Sequence, residues 1–559
     1  MVSAFIQKLT QETYSMHKAA LLIAALSLVA QLLAVVRDKM LAHYFGAGGD
    51  LSLYYAAFRI PDMVYASLAS VMAAIIILPI LTAAYEVSLE RAQKVMYSLL
   101  TVFTMVIVVC CTVLYFFMPE LVLYIAPGFS LEQHVQLTLL SRILLLSPII
   151  LGISNLIGSV LQMKKNFFMY SLAPVFYNVG IILGIVMFSG TYGILGVVYG
   201  VIFGGLLHIG IQIPAAYVYK LIPWYTFSID WKLIREVFFI ALPRIATLGA
   251  IQITQTFLVA QATYIALGSV AVFTLAFNVQ TVPLTLIGLS YSVAAFPVIA
   301  EYVQKKQFEN LWGSVASAIR HIIFWSVPVT CFVIVLRAHI IRLLYGSGAF
   351  DWTDTRLTAA VLAVMVIALA AQGVSLLLMR ALYALKHAYT QLVAQIIAFG
   401  VTYLIAMYGM AVWQKNLVVQ YFFENLFRVN DIPDTSILML GLAYMCGAVT
   451  LTIFLWVVLR IHVPFARFAA FRRVLVFSFG ASITGAFVTY ATLTVLSPYV
   501  NLDTFVGVAL HAIFAFIPGA IAWFWILYIL GSVELHEFIH ALKKRFWKTD
   551  IVQGELQEL

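Results

Sequence analysis

The sequence predicts an all-α polytopic membrane protein with about fourteen transmembrane helices, and three observations carry that prediction. The first is composition: of 559 residues, 64% are hydrophobic and 10% charged, with a mean hydropathy of +1.02. Soluble domains are about a quarter charged, and a surface this apolar cannot be kept in water. The second is a series of apolar runs, each long enough to cross a hydrocarbon core, which takes about 20 residues as a helix. The third is an uneven distribution of basic residues between alternate connections. Together these exclude a soluble enzyme, a disordered regulator and a disulfide-built secreted domain. The four cysteines (Cys110, Cys111, Cys331, Cys446) fall inside apolar runs and have no metal-ligand spacing.

In chain order the runs lie at 19–44, 52–84, 95–118, 137–163, 167–189, 192–219, 238–267, 270–300, 314–336, 357–384, 388–413, 436–459, 474–497 and 505–531. Residues 1–18 form a short polar leader. No small-residue cleavage site follows Leu21–Val29, so the first span is expected to be retained. With the N-terminus in the cytoplasm, 22 of the 32 Lys and Arg residues fall on the cytoplasmic side and seven on the other. Arg59, Arg142 and Arg244 lie within spans. The bias predicts that both termini are cytoplasmic. It also accounts for the net charge of +9 without any nucleic-acid partner.

An internal repeat recurs at a period of 219–222 residues. Ala57-Phe58-Arg59 and Leu78-Pro79-Ile80 of the second span match Ala276-Phe277-Asn278 and Phe296-Pro297-Val298 of the eighth. The fourth span ends Leu161-Gln-Met-Lys164-Lys165-Asn-Phe167 and the tenth Tyr383-Ala-Leu-Lys386-His387-Ala-Tyr389. Six spans per repeat is an even number, so the copies share one orientation and a central site is expected between them. The predicted organisation is an N-lobe over 19–219, a cytoplasmic linker over 220–237 and a C-lobe over 238–459. Two further helices follow over 460–531, then a cytoplasmic amphipathic tail over 532–559. Within the C-lobe, residues 414–435 form an outer insert. Its Val418, Tyr421, Phe422 and Leu426 share a helix face.

Charges within spans cost about 2.5–3.5 kcal/mol each on insertion scales, so they persist where they face a wet cavity or a partner. Arg37 and Asp38 lie about 27 Å along the first helix from Ala19, near its outer end. Arg59 sits close to Pro61 and Asp62, and Arg244 follows Pro243 in the seventh span. These residues are expected to form a cationic cavity for an anionic head group, joined by Gln31, Gln252 and Asn278 as polar cavity residues. The alternatives are a structural Arg59–Asp62 pair on one helix face and snorkelling of Arg142. The other polar residues in spans, among them Asn155, Asn178 and His208, are expected to make interhelical hydrogen bonds. Of 23 acidic residues only Asp38 and Asp62 lie within a span, which argues against ion coupling through buried carboxylates.

The sequence lacks one enzyme signature and carries another. No Gly-Lys dipeptide occurs, so there is no phosphate-binding loop of the Walker type. His536-Glu537-Phe538-Ile539-His540 matches the H-E-x-x-H zinc motif. It lies in a basic amphipathic stretch followed only by Glu555 and Glu558, so an interfacial helix is expected there rather than a metal site, and no metal or cofactor is expected.

Several fragments, in order, resemble the MurJ/MviN family: Val36-Arg37-Asp38, Tyr44-Phe45-Gly46-Ala47-Gly48, Phe58-Arg59-Ile60-Pro61, Leu78-Pro79-Ile80, Ala126-Pro127-Gly128-Phe129 and Tyr345-Gly-Ser-Gly-Ala-Phe350. The resemblance covers roughly residues 17–545. It implies membership of the multidrug/oligosaccharidyl-lipid/polysaccharide exporter superfamily, with two lobes, a central cavity and a lipid-tail groove formed with the last two helices. The activity it implies is movement of lipid II, the undecaprenyl-pyrophosphate-linked peptidoglycan precursor, from the inner to the outer leaflet of the bacterial cytoplasmic membrane. Further arginines common in the family fall here on Gln31, Tyr65 and Asn278. Arg37 and Asp38 are retained, Arg59 takes a position often basic, and Arg244 adds charge in the second lobe.

The function expected is therefore a flippase, not an enzyme, working by alternating access on lipid II. Its partners are that substrate and the bilayer, with cell-wall synthesis proteins as further candidates. The competing readings are an exporter of another undecaprenyl-linked glycan, a drug/cation antiporter of the same superfamily, and an enzyme of lipid-linked sugar transfer.

Overall fold

The computed structural model describes residues 16–463, apart from 73, and residues 469–546. The leader up to residue 15, Arg467 in the connection 464–468, and the tail end with Glu555 and Glu558 lie outside the described residues. Among the described residues every regular element is a helix. The first apolar run forms α1 (Met16–Phe45). The second is broken into α2 (Gly49–Ala57), α3 (Arg59–Ser67), a 3-10 turn at Ala69–Met72 and α4 (Ala74–Val87). Pro61 falls in the first turn of α3, where its missing N–H would have no helical partner in any case. Then follow α5 (Leu89–Ile125), α6 (Leu131–Leu144), α7 (Leu146–Met163), α8 (Phe167–Tyr192), α9 (Ile194–Gly210), α10 (Ile213–Val218) and α11 (Trp231–Thr263). A π turn at Leu284–Leu289 joins α12 (Ser269–Pro283) to α13 (Ser290–Gln304). The rest are α14 (Phe308–Tyr345), α15 (Trp352–Val366), α16 (Leu369–Ala384), α17 (Ala388–Lys415), α18 (Leu417–Phe427), α19 (Ile437–His462), α20 (Ala469–Leu496), α21 (Phe505–Ile529) and α22 (Val533–Phe546).

The protein is thus an all-α polytopic membrane protein. Among the described residues eleven spans are long and apolar enough to cross a membrane, or twelve with α15 and α16, which are bent by 48° at their junction. The two predicted runs outside that number are α1 and the broken α2–α4 segment. Side-chain caps set several helix starts: Ser88 accepts from the Arg91 amide, Asn166 from Met169 and Asp230 from Leu233. Four helix ends close on a lysine in the left-handed conformation (Lys165, Lys220, Lys306, Lys386). Lys165 and Lys386, one position out of register with the sequence repeat, have the same cap. In one the Asn166 amide donates to Leu161 O at 2.8 Å, and in the other His387 donates to Leu382 O at 2.9 Å.

The chain divides into two compact units. One comprises Met1–Ala276, Leu344–Val361 and Gln391–Gly447. Within it α1 packs on α8, α8 on α9, and α3 on both α7 and α11. Glycines bring α8 and α9 together: a Cβ on Gly180 would lie 2.2 Å from Gly204 Cα, and one on Gly184 would lie 2.3 Å from Gly200 Cα. The predicted linker 220–237 is fastened to α5. Gln93 donates to Lys220 O at 2.7 Å, the Asp230 amide donates to Ser98 Oγ at 3.2 Å, and Arg91 pairs with Asp230 at 3.0 Å.

The second unit comprises Phe277–Leu343, Leu362–Thr390 and Ala448–Leu559. In it α13 packs on α16 and α20 on α21. An apolar cavity of about 300 Å³ opens between α14 and α21, walled by Trp325, Phe332, Phe516 and Trp523.

Candidate substrate cavity and its charged residues

Arg37 on α1 has its guanidinium held on two sides. Nε and Nη2 donate to Asp38 Oδ1 at 2.9 and 2.8 Å, and Nη1 donates to Asn178 Oδ1 on α8 at 3.1 Å. Asn178 is itself oriented by donation to Ala30 O at 3.4 Å and Pro174 O at 3.0 Å. The arrangement is a charge pair on a long apolar helix, with Asp38 only 5% exposed. Three of the five guanidinium N–H groups are used, so two remain for an anion.

The other predicted site residues are placed separately. Arg59 Nε donates to Tyr55 O at 3.3 Å, and Asp62 lies one turn further along the same helix. Arg244 is exposed and Gln252 half-buried on α11, which packs against α3; a Cβ on Gly249 would lie 3.8 Å from Ser67 Oγ. Gln31 is exposed on α1. Asn278 is half-buried on α12 and belongs to the second unit. Among the described residues no hydrogen bond or ion pair joins Arg59, Arg244, Gln31 or Gln252 to Arg37. Arg142 donates from Nε to Tyr115 O at 2.9 Å with its guanidinium 4.5 Å from the Tyr115 ring centre.

A cavity of about 330 Å³ lies between α3, α7, α8 and α9. Its polar wall is Asp62, Tyr65, Ser147, Tyr177 and His208. The approach of α8 and α9 shapes it: a Cβ on Gly204 would meet Tyr177 O at 2.4 Å, and His208 follows one turn later. His208 makes the interhelical hydrogen bond expected of it, to Ser154 Oγ at 2.7 Å. Sequence reasoning grouped Asp62 with Arg59 and gave no role to Tyr177 or Ser147. The signal available was three prolines in neighbouring spans, since Pro61, Pro148 and Pro174 all line the cavity.

The glycine-bearing fragments converge within the first unit. The Ala349 amide donates to His43 O at 2.9 Å and the Ala47 amide to Asp354 Oδ2 at 3.1 Å. Gly46 and Gly348 are in the left-handed region (φ +60° and +62°). A Cβ on Gly46 would lie 2.7 Å from Ala349 O, and one on Gly348 would lie 2.4 Å from His43 O. Gly128 donates to Thr263 Oγ1 at 3.0 Å, and a Cβ there would lie 2.2 Å from Thr263 O. Three connections and one helix end are clasped backbone to backbone.

The H-E-x-x-H stretch lies on α22, in the second unit. Glu537 Oε2 is 3.0 Å from His321 Nε2 and Glu534 Oε1 is 3.5 Å from Arg320 Nε, so both carboxylates are directed to α14. Phe538 packs edge-on to Trp325 at 5.0 Å. No group of three or more His, Cys, Asp or Glu side chains is arranged for a metal among the described residues. Helix α18 presents Val418, Tyr421, Phe422 and Leu426 outward, all more than half exposed.

Many apolar spans, a charge pair held on the first apolar helix and polar cavity walls define a multi-span membrane protein with a polar interior site. The fold agrees: a solved MATE family transporter of the MOP superfamily, in an inward-facing conformation, superposes with a TM-score of 0.61 at 15% identity over 77% of this chain and 94% of that one. The family model "Lipid II flippase MurJ" matches residues 41–513, and the chain belongs to the MurJ family. A solved MurJ in an inward closed conformation gives a TM-score of 0.72 at 21% identity over 93% of this chain and all of that one. A probable lipid II flippase MurJ of Borreliella burgdorferi is 25% identical over 332 residues, 59% of this chain and 65% of that protein. One from Rickettsia prowazekii is 23% identical over 364 residues, 64% and 71% of the two chains. The chain thus aligns with just under two thirds of the Borreliella protein's length.

Proposed function

We propose that this protein is a flippase that carries lipid II, an undecaprenyl-pyrophosphate-linked peptidoglycan precursor, from the inner to the outer leaflet of the bacterial cytoplasmic membrane. The observation that carries the reading is Arg37, a guanidinium kept on the first apolar helix of a MurJ-family chain. Asp38 and Asn178 fix its direction and leave two N–H groups for a pyrophosphate oxygen. Arg59 and Arg244 add positive charge on α3 and the adjoining α11, with Gln31, Gln252 and Asn278 as polar contacts. The apolar cavity between α14 and α21 suits an isoprenoid tail.

The proposed topology has both termini in the cytoplasm and two six-helix lobes followed by two helices. In that topology the clasped connections after α1, α5, α11 and α14 all lie at the outer face. Alternating access then requires the clasp to open for release of the head group. Cell-wall synthesis proteins are further partners in this proposal.

Native mass spectrometry of the purified protein tests it, with lipid II, a different undecaprenyl-pyrophosphate glycan and undecaprenyl phosphate offered in turn. Preferential retention of lipid II, weakened at least tenfold by Arg37→Ala, is the expected result. Equal retention of all three, indifferent to Arg37, overturns the substrate assignment. Preference for the other glycan would fit the uncharged Gln31, Tyr65 and Asn278 and assign that cargo instead.

A further inference from the structure

The cavity between α3, α7, α8 and α9 has the wrong sign for an anion. Its wall carries one carboxylate, Asp62, and among the described residues that line it there is no arginine or lysine. The neutral groups around it already have constrained roles. Tyr65 Oη accepts from Asn155 Nδ2 at 3.3 Å, which leaves the phenol hydrogen to donate. His208 Nδ1 lies 2.7 Å from Ser154 Oγ, and Gln212 Nε2 donates to that same oxygen at 2.8 Å. Among the described residues Ser154 has no other acceptor for its hydroxyl hydrogen, so Ser154 donates to Nδ1. The ring proton is then on Nε2, the nitrogen left for the cavity. A carboxylate, an imidazole N–H and phenol groups thus surround room for several waters.

We infer that this cavity is a proton-binding site, in which Asp62 takes up and releases the proton and His208 is its neutral partner on the same wall. Uptake converts the carboxylate and a hydronium ion into a carboxylic acid and water, and no other bond changes. The choice of a proton over a sodium ion rests on His208, since sodium prefers a shell of oxygen ligands. The charge of the wall changes from negative to neutral beside Tyr177, and the next residue, Asn178, holds Arg37.

The groups facing Asp62 can be taken helix by helix. On its own helix they are Arg59 and Tyr65. Helix α2 brings Tyr54, α8 brings Tyr177, and α9 brings His208. Helix α1 brings the Arg37–Asp38 pair. Helix α7 contributes only the neutral Ser147 and Asn155. On α6 Arg142 is turned to Tyr115. On α11 the charged residue nearest that contact is Arg244, five positions before the Gly249 that packs at Ser67; Lys232, Arg235 and Glu236 lie at the start of the helix.

Difference infrared spectroscopy of the full chain, titrated between about pH 4 and 9 where carboxyl and imidazole groups ionise, tests the inference. The expected result is a protonated-carboxyl band that titrates above the surface carboxylates, present in the parent and in Asp62→Glu, and absent in Asp62→Asn. Its midpoint should rise by about one pH unit in His208→Leu, which removes the N–H that favours the carboxylate. It should stay constant when potassium is replaced by sodium. A band that survives Asp62→Asn, or a midpoint indifferent to His208, overturns the inference. A midpoint that falls as sodium rises also overturns it and makes the cavity a sodium site. The titration needs no lipid, so its failure leaves the flippase reading standing, and loss of lipid II binding leaves the proton site standing.

Discussion

The Ala47 amide donates to the Asp354 carboxylate at 3.1 Å, across 307 residues of sequence. The fragments around these two residues are among those that made the family recognisable, and their glycines serve the contact between them. Gly46 and Gly348 are placed where the opposite backbone leaves no room for a Cβ. The family's sequence signature here is a steric requirement of one backbone meeting another.

Gly348→Ala should therefore break the clasp. A left-handed conformation costs an L-residue roughly 1–2 kcal/mol, before the overlap with His43 O is counted. A fall in the midpoint of thermal unfolding is expected. Gly210→Ala, where no atom lies within 4 Å of the added carbon, should leave the midpoint unchanged or raise it. Equal midpoints for the two variants would show that the clasp carries no stability.

Asp230 ties the linker to α5 and caps α11, and its pH dependence has a definite sign. The Leu233 amide, and after it Arg91, holds its carboxyl below the usual carboxylate range. A depressed folded-state pKa gives stability that is present above the unfolded value of about 3.9 and is lost as pH falls through the folded value. Asp230→Asn keeps a capping oxygen and removes the charge. Its deficit in unfolding midpoint should be constant near neutrality and shrink below about pH 4. Asp230→Ala should add the loss of the cap, about 1 kcal/mol. A deficit for Asp230→Asn that grows on acidification would contradict this.

Gly204→Ala should separate α8 from α9, because the new carbon would overlap Tyr177 O at 2.4 Å. Overpacking of this kind costs typically 1–3 kcal/mol. A cysteine pair placed across the two helices should cross-link more slowly in the variant. An unchanged rate would mean that the helices adjust without separating.

The fold was legible in the sequence because each span is specified locally, by about 20 apolar residues and the charges that flank them. Every predicted run is helical over most of its length, and what escaped were the breaks within runs, among them Phe58 and Ala69–Met72 in the second and the 48° bend between α15 and α16 in the tenth. The site was legible only where a charge stood inside a span. Arg37 and Asp38 could be picked out for that reason. Asn178, the third member of their cluster, is 141 residues from Arg37 and looks like any polar residue in a helix. Asp62 was read with Arg59 because sequence shows neighbours along a helix. It does not show that Tyr177 and His208 reach the same cavity from two later spans.

Arg37 and Asp38 allow structure and transport to be separated. Arg37→Ala takes the guanidinium away from a carboxylate only 5% exposed, and breaking a buried pair this way costs roughly 3–5 kcal/mol. Loss of transport in that single variant is therefore ambiguous. The double variant Arg37→Ala/Asp38→Asn removes both charges and should recover most of the stability. If Arg37 serves only to neutralise Asp38, transport into the outer leaflet of reconstituted vesicles should return with stability. The anion-binding role predicts a folded double variant whose transport remains at least tenfold below the parent. A double variant as active as the parent would remove Arg37 from the substrate site.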